Sequence, residues 1–65
     1  MLSYKITLEA ARVNAGFSQR EAARALKICP ETLSSWEKGK VSIKAANLMK
    51  LCELYKIPVE FISLL

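Results

Sequence analysis

The chain contains no histidine and no aspartate, so its six acidic residues are all glutamates. The side chain that most often serves as a metal ligand and as a base near neutral pH is therefore missing. There are only two cysteines and two glycines, and no glycine-rich phosphate loop. A metal would have to be held by two cysteines far apart in sequence and by scattered glutamates, which is not a ligand set. No run is long and uninterrupted enough to cross a membrane, because Lys50, Glu53, Lys56 and Glu60 break up the apolar C-terminal part. These absences leave no catalytic set, no cofactor or metal site and no evident small-molecule ligand, and they exclude an enzyme.

The 65 residues make one small domain over residues 1–65. A chain this short is marginal unless it packs helices well, is cross-linked or associates. Its hydrophobic fraction of 52% is high for so small a body. Part of that apolar surface has no room in one core, which points to a partner, most simply a second copy. The net charge of +4 permits binding to nucleic acid or an anionic surface. With no signal peptide at the start, two lone cysteines read as reduced thiols of the cytoplasm.

The most informative stretch is Ser18 to Lys40, SQREAARALKICPETLSSWEKGK. It predicts two short helices, Gln19 to Leu26 and about Pro30 to Lys38, joined by a turn of a few residues. Ser18 and Glu21 have the spacing of a capping box, and Phe17 with Ala22 that of a hydrophobic staple. Pro30 is tolerated at a first helical position, where its missing N–H would have no partner. Gly39 marks an end. Between Leu26 and Ile28 the chain must reverse direction, which asks Lys27 for positive φ. Ala22, Ala23 and Leu26 form a narrow apolar stripe on the first helix, Leu33 and Trp36 on the second. At about 100° per residue, Glu31, Ser35 and Lys38 lie opposite Leu33 and Trp36, flanked by Thr32 and Ser34. A thin buried edge with a broad face of short polar side chains suits a helix lying in a DNA major groove.

Elsewhere, Leu2, Tyr4 and Ile6 alternate as in one extended strand or a loose arm. Thr7 reads as the N-cap of a helix from about Leu8 to Ala15, ending at Gly16, with Leu8, Ala11 and Ala15 inward. A longer helix from about Ile43 to Lys56 carries the stripe Leu48, Leu51, Cys52 and Tyr55. After Pro58, Val59 to about Ser63 reads as a last short helix before an apolar end. The sum is an all-α, compact five-helix domain with a helix-turn-helix at about 19–38.

These residues resemble the helix-turn-helix of the Cro- and phage-repressor-like DNA-binding family. The resemblance is carried by Arg12-Val-Asn-Ala-Gly16, Ser18-Gln19, Ala22-Ala23, Leu33 and Trp36-Glu37-Lys38-Gly39-Lys40, and it extends from about Leu8 to Ile62. Where the family often has glycine in the turn, this chain has Lys27. The resemblance implies a DNA-backbone contact at Gln19 and an ion pair between Arg12 and Glu37, two positions that lie at the core edge of their helices.

The resulting candidates are Glu31, Thr32, Ser34 and Ser35 for base edges, and Gln19, Arg20, Lys38 and Lys40 for phosphates. Arg24 reads equally as a solvated arginine. Cys29, just before Pro30, is either a small stand-in for serine at a cap or a thiol placed for redox sensing. Cys52 reads as core. The function implied is a sequence-specific double-stranded-DNA-binding transcriptional regulator, a repressor acting as a homodimer. Its rivals are a protein-interaction module of the same fold and an antitoxin that binds both DNA and a toxin.

Overall fold

Thr7 and Ser18 have extended backbones and oxygens that reach forward to N–H groups three residues on, so each starts a helix. In the computed structural model, which describes residues 5–64, Thr7 accepts from Ala10 N at 3.0 Å and opens α1, Leu8–Ala15. Ser18 accepts from Glu21 N at 3.0 Å while Glu21 Oε1 accepts from Ser18 N at 2.8 Å. This complete capping box opens α2, Gln19–Leu26. Pro30 is the first residue of α3, Pro30–Glu37, and Lys44 precedes α4, Ala45–Tyr55.

All four helices end in the same way. A residue just past the last turn takes positive φ: Gly16 at 87°, Lys27 at 60° and Lys56 at 57° directly after α1, α2 and α4, and Gly39 at 75° one position beyond α3, after a right-handed Lys38. Its N–H and the next one fold back onto carbonyls of the last turn, as in Lys27 N to Arg24 O and Ile28 N to Ala23 O. After α1, α2 and α4 that next residue is Phe17, Ile28 or Ile57, half-buried against the core. After α3 it is Lys40, which is exposed. A helix end that elsewhere docks an apolar side chain thus holds a cation in solvent beside α3.

The core is small. Leu8 and Ala11 of α1, Ala22 and Ala23 of α2, Leu33 of α3, and Leu51, Cys52 and Tyr55 of α4 meet in one cluster. Ala22 and Ala23 are completely buried, and their lack of bulk lets α2 lie close to its neighbours. Phe17 and Tyr55 add a tilted ring contact, their centroids 6.0 Å apart.

Several expectations need correction. Ala15 faces solvent, because the helix ends at the next residue. The helix expected over Val59 to Ser63 is absent, so the described residues hold four α-helices and not five. Val59–Phe61 make one 3-10 turn. Ile62 is extended and pairs in parallel with Ile6, and Ser63 with Thr7. Ile62 is 6% exposed and joins the core, while Phe61 and Leu64 on either side stay exposed. Of the stretch from Leu2 to Ile6, read as one strand or a loose arm, Lys5 and Ile6 are among the described residues, and Ile6 is extended.

Candidate nucleic-acid interface

α3 is anchored at one residue. Leu33 is fully buried, and Trp36 is half-buried beside it. Glu31, Thr32 and Lys38 are exposed, while Ser34 and Ser35 are half-buried. The open polar face therefore centres nearer Thr32 than the projection from sequence placed it. Lys40 continues this exposed surface past the end of the helix.

The two helix starts offer different chemistry. In α3, Pro30 has no N–H, and the N–H groups of Thr32 and Leu33 both go to the Cys29 carbonyl, at 3.0 and 3.3 Å. Cys29 is the N-cap residue, but its side chain makes no capping hydrogen bond, so it does not replace serine in that role. The thiol is exposed. In α2, the capping box takes the N–H groups of Ser18 and Glu21. Those of Gln19 and Arg20 have no partner among the described residues. Two free N–H groups at the positive end of a helix dipole, with the Arg20 side chain exposed beside them, suit a phosphate oxygen.

One buried carboxylate joins these parts. The Glu37 side chain, at the end of α3, is 2% exposed. Its Oε2 accepts from Arg12 Nε of α1 at 2.8 Å. Its Oε1 accepts from Gln19 Nε2 of α2, also at 2.8 Å. Arg12 in turn donates from Nη1 to the Phe17 carbonyl at 2.9 Å. Its approach to the exposed Glu9, at 3.9 Å, is long. The expected Arg12–Glu37 pair is present and buried. The bond to Gln19 is not foreseeable from local periodicity, because it joins the first residue of one helix to the last of the next.

Tyr55 borders this network. Its hydroxyl is buried and finds no hydrogen-bond partner among the described residues. Burial, then the negative charge of Glu37, push its pKa up to about 12, against a smaller opposing effect of Arg12. Burial also raises the pKa of the Cys52 thiol, as befits a core residue. Among the described residues no group of three or more cysteines and carboxylates is placed to hold a metal ion. No described helix is long and apolar enough to cross a membrane.

Two short helices joined by a left-handed turn, the second held by one leucine and open along a polar face, define a helix-turn-helix domain. The family model described as Helix-turn-helix matches residues 8–62. The chain belongs to this family of Cro/C1 type, whose members are DNA-binding domains and not enzymes. Nothing among curated proteins or solved structures matches the chain.

Proposed function

We propose that this protein is a sequence-specific transcriptional regulator, a repressor of the cytoplasm that reads double-stranded DNA as a homodimer. The observation that carries the reading is the exposed polar edge of α3, continued by Lys38 and Lys40, in a member of a DNA-binding family. α3 enters the major groove. Glu31 accepts from a cytosine amino group there, and Thr32, Ser34 and Ser35 donate to or accept from neighbouring base edges. Thr32 is the most open of these hydroxyls, and the two serines reach bases from the flank of the helix. Gln19 and Arg20 hold phosphate at the start of α2, Lys38 and Lys40 at the end of α3. The buried Arg12–Glu37 pair sets one helix against the other. Repression follows from occupancy of a site that polymerase or another regulator also needs.

A second copy doubles the site. Leu64 shares a shallow depression of about 120 Å³ with Trp36, Val41 and Ile43. Val41, Phe61 and Leu64 are exposed large apolar residues, and a dimer contact would cover them. Selection of bound sequences from a random DNA pool tests the reading. Enrichment of two related half-sites about one helical turn apart supports a dimer that reads bases. Recovery of unrelated sequences would contradict it.

A further inference from the structure

Glu37 does more than neutralise Arg12. Its two oxygens face different elements, Oε2 toward Arg12 of α1 and Oε1 toward Gln19 of α2, each bond 2.8 Å long. Arg12 reaches on to the Phe17 carbonyl, two residues before Gln19. The result is a closed ring: Glu37, Gln19, the backbone back to Phe17, Arg12, and Glu37 again. The ring runs through Gln19, the first residue of α2, and the N–H groups of Gln19 and of Arg20 beside it are free among the described residues. The carboxylate itself is the last residue of α3, one position before Lys38.

Resting on the reading as a DNA-binding domain, we infer that Glu37 is a positioning residue for DNA, although it is buried away from any contact with it. It spends one Gln19 N–H on a fixed bond. The carboxamide is thereby held in one orientation, with its second N–H left to donate to a phosphate oxygen. It also sets the phosphate-binding end of α2 in register with the reading face of α3. A glutamine that is already oriented loses less rotamer freedom on binding, so the clamp raises affinity without adding a contact.

The test must separate this from plain stability, since removing one partner of a buried pair leaves the other uncompensated. The DNA is the sequence that the unaltered protein selects from a random pool. Two double variants remove the ion pair in the same way, R12M/E37Q and R12M/E37L. They differ in whether an acceptor remains for the Gln19 amide. R12M/E37Q is expected to bind this DNA about tenfold more tightly than R12M/E37L at equal Tm, the effect of one hydrogen bond to an oriented group. Adding Gln19→Ala should reduce that ratio to less than about twofold. Equal affinities of the two variants, or a ratio unchanged by Gln19→Ala, would overturn the inference. If neither variant folds, the unaltered protein decides. Gln19 is the only glutamine of the chain, so its side-chain amide signals are unambiguous by NMR. Slow exchange and restricted motion of that amide, with a further shift on adding the DNA, support the clamp, and a freely rotating amide overturns it. An unaltered protein that selects no DNA would instead sink the DNA-binding reading, and the inference with it.

Discussion

Two lysines carry backbone conformations that usually belong to glycine. Lys27 and Lys56 end their helices at φ 60° and 57°, in the left-handed region. A β-carbon costs about 1 kcal/mol there, whereas glycine loses more chain entropy on folding. Lys27→Gly is therefore expected to be neutral or stabilising by up to about 1 kcal/mol in urea unfolding. A loss of more than about 1 kcal/mol would show that the lysine side chain makes a needed contact. Positive φ at Lys27 was legible in sequence, since a few residues had to reverse the chain between two capped helices. At Lys56 it was not, because a longer helix followed by Pro58 is compatible with several endings.

Tyr55 gives a pH signature. Its neutral form is favoured in the fold, with the pKa raised from about 10 to about 12. A proton held more tightly by the folded state stabilises it fully below pH 10, and the contribution is lost as pH rises toward 12. Tyr55→Phe removes both this term and a buried hydroxyl without a partner. The variant should match the parent within about 1 kcal/mol at neutral pH, and should lose less stability than the parent through the alkaline range. Parallel alkaline losses in parent and variant would place the tyrosine outside the native core.

At the scale of elements, α3 carries two kinds of polar residue with different expected signatures. Glu31→Ala or Ser35→Ala should change preference at one or two base pairs, by about 1–3 kcal/mol at most. Lys38→Ala should weaken binding about equally on every sequence. The measurement is affinity for a panel of single-base variants of the selected site. A panel unmoved by the Glu31 and Ser35 substitutions would mean that α3 does not read bases, and would favour a protein-interaction module or an antitoxin. The first three α-helices were legible because caps, proline and glycine are local signals read within a few residues, and α4 because Leu48, Leu51, Cys52 and Tyr55 recur at helical spacing. The parallel pair of Ile6–Thr7 with Ile62–Ser63 was not, since each strand has two residues and the partners lie at opposite ends of the chain. In a run as apolar as Phe61 to Leu65, period alone does not separate a helix from a strand. Within the candidate interface, the Arg12–Glu37 pair could be expected from the family resemblance, at two positions that lie at the core edge of their helices. The Gln19 bond to the same carboxylate needs the tertiary packing of α2 on α3.

For the whole molecule, the apolar excess seen in composition is partly resolved by Ile62, which is core. Phe61 and Leu64 remain outside, 47% and 52% exposed. Removing everything after Glu60 would also remove the strand Ile62–Ser63, so it cannot separate association from folding. The substitutions Phe61→Ser and Leu64→Ser leave Ile62 in place. They are expected to weaken a dimer seen by sedimentation while changing Tm by only a few degrees. A parent that stays monomeric at high concentration, with and without DNA, would contradict the homodimer.

In the proposed function this domain grips DNA through phosphates around α3 and the start of α2. Counterion release makes such binding fall linearly with salt on logarithmic axes. The most direct test is the affinity of the unaltered protein and of Lys38→Ala for the selected site, from about 50 to 200 mM salt. A steep decline is expected for the parent, and a slope smaller by about one unit for Lys38→Ala. An affinity that does not change with salt, or a slope unaltered by the loss of Lys38, would contradict it.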